Sequence, residues 1–213
     1  MYYDAGKRDL ALLPHDPLKA IIAPRPVGWV STINARGEVN LAPYSFFNAF
    51  SSSPMILGFS SEGAKDSVSF ARETGEFVWN LASYDLRDAM NATSAPLPRG
   101  TSEFEHAGLE RAASMLVKPP RVLASPASLE CKVTAIIDLK DVDGREIGSH
   151  HVLGQVVGVH IRDEFIVHGR ADTAAMRPLA RCGYADYAEV NAVFSLIRPA
   201  GAGGDASSGP AKA

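Results

Sequence analysis

Cysteine is scarce in this chain: only Cys131 and Cys182 occur among 213 residues. Two cysteines build no disulfide framework, and no further ligands stand at a spacing that would hold zinc. Positive charge is not in excess either. Lys and Arg number 21 against 24 Asp and Glu, for a formal net charge of −3. No net positive field draws phosphodiester backbones, so nucleic acid is not an expected partner. No run of about 18 apolar residues is present to make a transmembrane helix. The opening residues, MYYDAGKRDLALLPHD, hold no apolar stretch of signal-peptide length. The sequence therefore predicts a cytoplasmic protein without a membrane partner. Missing as well are a GxSxG nucleophile elbow, the Walker order GxxxxGK[ST] and a dinucleotide GxGxxG.

What the chain does have is apolar surface. Hydrophobic residues make up 46% and charged residues 21%, enough to bury a sizeable core and to exclude global disorder. The length suits one domain, expected over residues 1–199. Its lead-in segment, residues 1–24, gains an apolar side from Leu10, Leu12 and Leu13. Residues 200–213, AGAGGDASSGPAKA, offer nothing to anchor in a core and read as a flexible tail.

Strand signals dominate. Val27, Trp29, Ser31 and Ile33 alternate with Gly28, Val30 and Thr32, and Asn34-Ala35-Arg36-Gly37 supplies turn chemistry before Glu38 to Ala42 extends again: a β-hairpin. Met55 to Phe59 and Phe77 to Leu81 read as buried strands. Leu129, Cys131, Val133, Ala135 and Ile137 alternate with Glu130, Lys132 and Thr134, which predicts one wet face. His151 to Ile161 is a long strand in which Gly154 and Gly158 mark bulges or close backbone approaches. Helices are few and short. Asp66 to Glu73 has Asp66 as its expected N-cap and Gly75 as its stop; Asp85 to Ala92 and part of Ser102 to Gly108 are the others. Many strands at short spacing favour an antiparallel barrel over a doubly wound sheet.

Two segments could carry chemistry. The first, Ser60-Ser61-Glu62-Gly63-Ala64-Lys65-Asp66-Ser67, leads from a strand into a helix. Unpaired N–H groups at a helix start attract anions, Lys65 adds a full charge, and Ser60, Ser61 and Ser67 add hydroxyls. The same residues also make an ordinary capped polar loop. The second is Asn40-Leu41-Ala42-Pro43-Tyr44-Ser45 with Phe46-Phe47-Asn48, where Pro43 removes a donor from strand pairing and frees neighbouring groups for a ligand. Tyr44, Phe46 and Phe47 either wall a pocket or fill the core. His150 and His151 lie on opposite faces of a strand and make a poor metal pair; no metal is expected. Cys182 lacks a His or Asn partner and reads as a bystander thiol.

In order along the chain, Arg25-Pro26-Val27-Gly28-Trp29-Val30-Ser31-Thr32, Asn40-Leu41-Ala42-Pro43-Tyr44-Ser45, Phe47-Asn48, Lys65-Asp66-Ser67, Gly75 to Leu81, Glu103-Phe104, Ser128 to Cys131, Leu153 to Ile161 and Pro178 to Gly183 resemble the flavin reductase-like family. The resemblance spans about residues 17 to 190. It implies a mostly β fold, the FMN-binding split barrel, antiparallel and Greek-key-like with short peripheral helices. It further implies that Trp29, Val30, Ser31 and Thr32 line the ring and ribityl chain of FMN, and that Ala42, Pro43, Tyr44 and Ser45 face the ring's polar edge with Asn48 nearby. Ser60, Ser61, Lys65 and Ser67 would hold the phosphate. A homodimer is implied, with Thr93, Ser94 and Arg181 near the flavin, although the family's arginine–leucine–glycine loop reads Arg181-Cys182-Gly183 here. His151 is a candidate donor beside the open face of the ring.

The expected activity is reduction of flavin by NADH or NADPH, without acid–base residues, since hydride chemistry belongs to the cofactor. The small residues Gly28, Ser31, Thr32, Ala42 and Ser45 would leave room for the nicotinamide. The alternative is a non-catalytic FMN protein that stores flavin or carries electrons to a partner.

Overall fold

The computed structural model describes residues 1–98, 101–196 and 199; the tail expected over 200–213 lies outside the described residues. Seven strands form one antiparallel sheet. In chain order they are β1 (Gly28–Ile33), β2 (Val39–Tyr44), β3 (Phe47–Ser52), β4 (Met55–Glu62), β5 (Glu76–Asn80), β6 (Ala127–Lys140) and β7 (Glu146–Ile161). Across the sheet the order is β2-β1-β5-β6-β7-β4-β3. The two edge strands, β2 and β3, follow one another in the chain through Ser45-Phe46, yet no ladder joins them. The Ser60 N–H donates to the Phe46 carbonyl at 2.8 Å and ties β4 to that link. The sheet thus curls round to meet itself and stays open along one seam, a split barrel.

The hairpin expected at the start is β1 and β2, paired from Gly28↔Tyr44 to Ile33↔Val39. Both faces of β1 are buried, because adjacent residues point to opposite sides. Val30 enters a cluster inside the barrel with Phe59, Phe77, Cys131 and Val152. Trp29 enters a second cluster with Leu41, Met90, Phe104, Val122 and Leu179, which roofs the outer face of the hairpin.

Helix α1 (Asp66–Thr74) plugs the barrel with Val68 and Ala71. Its N-cap is Lys65, one residue before the expected Asp66, and Asp66 takes the first helical position, where a carboxylate complements the positive end of the helix. Gly75 closes it in the left-handed region at φ 70°. A second short helix, α2 (Arg87–Ala92), packs Met90 into the outer cluster. Three further strands, Arg25–Pro26, Leu179–Arg181 and Tyr187–Glu189, form a separate small sheet.

Gly154 and Gly158 each fall at a register shift between β6 and β7. A Cβ on Gly154 would come 2.3 Å from Cε1 of Phe77, so this position is both a bulge and a close approach. The expectation of one wet face on β6 fails at Glu130. Glu130 is fully buried; it accepts from the N–H groups of Met115 and Leu116 at 2.7 and 2.6 Å and bonds Nε2 of His160 at 2.5 Å. The strand Phe47–Ser52 was not among the sequence expectations, because its aromatic residues sit on an edge without a clean alternation. No helix among the described residues is long and apolar enough to cross a membrane.

Candidate functional site

An open cleft of about 420 Å³ lies where three elements meet: the edge strand β2, the start of α1 and the segment after α2. Asn40, Ala42, Pro43 and Tyr44 form one wall, Lys65, Asp66 and Ser67 a second, and Thr93 to Leu97 a third, with Glu103 between them. The volume falls within the range of small-molecule sites. Its local structure follows from the sequence. Leu41 turns its N–H outward to Oε2 of Glu103 at 3.1 Å. Two residues on, Pro43 occupies the same outward register of an edge strand, where a missing N–H costs the ladder nothing.

Polar groups converge on the floor. Ser67 is buried and accepts from Nδ2 of Asn40 at 2.7 Å. Burial pushes the Tyr44 phenol up, partly offset by the Ser67 and Ser61 hydroxyls beside it, so Tyr44 stays a neutral hydrogen-bonding group at neutral pH. Burial likewise raises Glu103, against the N–H groups it accepts from, with Asp66 adding to the rise. The Lys65 side chain is exposed, and no carboxylate pairs with it among the described residues. A cation and the unpaired N–H groups of a nine-residue helix therefore face the same space, the arrangement that receives an anion.

The structure gathers Ala42, Pro43, Tyr44, Lys65 and Ser67 into this cleft, together with Thr93 and Ser94. Ser61 lies against Tyr44, with its hydroxyl to the Gly63 carbonyl at 3.3 Å. Ser60 points elsewhere, to Nδ1 of His151 at 2.8 Å, and Phe50 meets the His151 ring edge-on. Burial lowers the pKa of His151. Trp29, Val30, Ser31 and Thr32 are all fully buried. Trp29 donates to Oγ1 of Thr93 at 3.0 Å and Ser31 to the Pro120 carbonyl at 2.5 Å, so Trp29 supports a cleft wall from behind. Gly28 opens no space, since a Cβ there would lie 2.7 Å from the Phe47 ring. Ser45 is half-buried in the link between β2 and β3. Asn48 is exposed on the edge strand and accepts from the Ala49 N–H at 2.8 Å. Arg181 lines a different cleft.

Asn40, Glu103 and the Pro96-Leu97 wall are members of the site that sequence reasoning did not single out for it. Asn40 opens the second candidate segment but carries no assigned role there, and Glu103 enters only through the family motif; that the two meet in one cleft is tertiary. Among the described residues no group of three or more His, Cys, Asp or Glu is arranged to hold a metal ion.

This architecture, a split antiparallel barrel with a ligand-sized cleft at its open seam, is that of a class of flavin-binding proteins. The family model described as flavin reductase like domain matches residues 22–173, and the chain belongs to that family. An uncharacterised protein of Halalkalibacterium halodurans is 36% identical over 183 residues, 84% of this chain and 87% of the relative. Among solved structures, nitrilotriacetate monooxygenase component B from Bacillus cereus superposes with a TM-score of 0.84 at 28% identity, covering 92% of this chain and 98% of that one. The FMN-binding protein from Thermus thermophilus shares the fold with a TM-score of 0.68 at 14% identity, over 85% and 96% of the two chains.

Proposed function

We propose that this protein binds FMN in the cleft and passes hydride from NADH or NADPH to the flavin. The observation that carries the reading is Lys65, an unpaired cation at the start of α1, beside the buried hydroxyl of Ser67 and within one cleft with Pro43 and Tyr44. The residues fit the group. Lys65, the α1 N–H groups and the Ser67 hydroxyl are donors for a phosphate. Ala42 and Pro43 present the outward edge of β2 to a flat ring, and Tyr44 supplies a neutral phenol. Membership of the flavin reductase-like family supports the same ligand.

FMN, when bound, supplies hydride acceptance and onward delivery of one or two electrons. The chain's part is positional. The α1 start would hold the phosphate, the β2 edge would lie against the ring, and Thr93, held by the Trp29 indole at 3.0 Å, steadies the third wall. A nicotinamide would have to be held with its reacting carbon within ~3–3.5 Å of the flavin, and positioning of this kind accounts for much of a rate. No side chain has to gain or lose a proton.

The test is anaerobic mixing of the FMN-loaded protein with NADH and with NADPH. Bleaching of the flavin absorbance within seconds by at least one nicotinamide is the expected result. Bleaching by dithionite but by neither nicotinamide over minutes would assign the protein to flavin storage or electron carriage instead.

A further inference from the structure

A second cleft, of about 620 Å³, lies on the other side of α2 and shares no lining residue with the first: Met90 and Asn91 face it, whereas Thr93 and Ser94 face the flavin cleft. Its walls are rich in flat rings, with Tyr84, Tyr184 and Tyr187 all lining it. Charge is distributed unevenly among them. Arg87 pairs with Asp88 at 3.6 Å and lies over the Tyr84 ring, 4.3 Å from its centre, and Glu189 is taken by Nε of Arg177 at 2.5 Å. Arg181 has no carboxylate partner among the described residues; its guanidinium lies 4.4 Å from the centre of the Tyr187 ring and donates to the Tyr184 carbonyl. Once the paired charges are set aside, one cation remains, fixed against an aromatic wall.

The frame around this cation is held with strain. Tyr184 and Arg177 are two of the three non-glycine residues at positive φ among those described, at 54° and 50°. Such positions persist where the surroundings over-determine them, and they concentrate at ligand sites. Arg177 is tied to both Asp85, at 2.8 Å, and Glu189, and its guanidinium also lies over Tyr84, 4.6 Å from the ring centre. It therefore withdraws an acid from Arg181 while steadying one of the rings.

We propose that this cleft is a binding site for a planar aromatic carboxylate, with Arg181 receiving the carboxylate through its fork of donors and Tyr184 and Tyr187 lining the space for the ring. Arginine forks match carboxylates in geometry, tyrosines supply flat contact area, and the volume suits one or two fused rings. The site is independent of the flavin reading and stands or falls separately from it.

The probe is 2-naphthoate, titrated by calorimetry into the full-length protein, with and without saturating FMN. Saturable binding that FMN does not compete away is expected, weakened at least tenfold in Arg181→Gln and absent for the neutral analogue 2-naphthylmethanol. Tyr187→Leu, which leaves the cation in place, should weaken 2-naphthoate several-fold and gives a second reading if Arg181→Gln does not fold. FMN affinity should be the same in wild type and both variants. No saturable binding by the wild type, equal binding by the variants, or direct competition with FMN would overturn the proposal; a loss of FMN affinity in Arg181→Gln would assign Arg181 to the flavin instead.

Discussion

The guanidinium of Arg25 donates to the carbonyl of Cys182 at 2.8 Å, joining residues 157 positions apart. The same buried group donates to the carbonyls of Lys19, at 2.6 Å, and Ile22. One side chain thereby holds the lead-in segment and the Arg181-Cys182-Gly183 loop to the start of the barrel. Gly183 is required beside it, since a Cβ there would lie 2.5 Å from that of Ala20. Arg25→Ala would leave three carbonyls without their charged donor. A loss of about 2–3 kcal/mol is expected, seen as a drop in Tm of roughly 5–10 °C in a thermal melt. Arg25→Lys should recover less than half, because an ammonium cannot spread its donors as a guanidinium does.

Gly154 faces Phe77 inside the barrel. A methyl group at 2.3 Å from Cε1 forces the ring off its rotamer, and overpacking of this kind costs about 1–3 kcal/mol. Gly154→Ala should therefore lower the denaturation midpoint. Adding Phe77→Leu should make the double variant more stable than the sum of the two single losses predicts. A strictly additive cycle by chemical denaturation would contradict the contact.

Lys65 provides the direct check on the proposed flavin cleft. A charge-assisted contact is worth about 1.5–3 kcal/mol, so Lys65→Ala should weaken FMN roughly ten- to a hundredfold. Riboflavin, which lacks the phosphate, should bind both proteins alike in a fluorescence titration. Equal losses for the two ligands would remove Lys65 from the phosphate.

Glu130 predicts how the fold responds to acid. Burial pushes its carboxyl up, but the N–H groups of Met115 and Leu116 and the ring of His160 more than offset this, and its pKa falls below the usual value. A depressed folded pKa means stability that is present above the ordinary glutamate range near 4.3 and is lost as pH drops through the lower folded value. Glu130→Gln should thus destabilise the protein at pH 7, by about 1–3 kcal/mol, and flatten its stability profile as pH falls below the ordinary glutamate range. Hydrogen exchange at Met115 and Leu116 should quicken in the variant.

Phe46, Phe50 and Met55 leave large apolar surfaces exposed around the β3–β4 edge, an arrangement that suits a second copy of the chain. A homodimer burying well over about 1,200 Å² is expected. Light scattering at micromolar protein should return twice 22.7 kDa, and a monomer with FMN bound would refute it.

Much of this fold is local, and the sequence determined it. The alternation of Val27 to Ile33 and the turn at Asn34 to Gly37 define the first hairpin without help from the rest of the chain. Gly75 could end α1 wherever that helix packed, because only its φ matters. Gly154 and Gly158 announced their bulges for the same reason: a missing side chain is visible in one dimension. The Lys65-Asp66-Ser67 start was legible as an anion-binding feature because a helix N-terminus carries its donors locally. Tertiary structure alone decided the rest. Glu130 fits a wet strand face by alternation, yet the 115–116 loop and His160 close over it. Trp29 to Thr32 sit in the family's motif, but the barrel interior covers one face of β1 and a roof that includes Met90, Phe104 and Val122 the other, so all four are core. Only folding brought Pro43, Lys65 and Thr93 to one cleft and Arg181 to another, since periodicity reports which face a side chain takes and not what that face will meet.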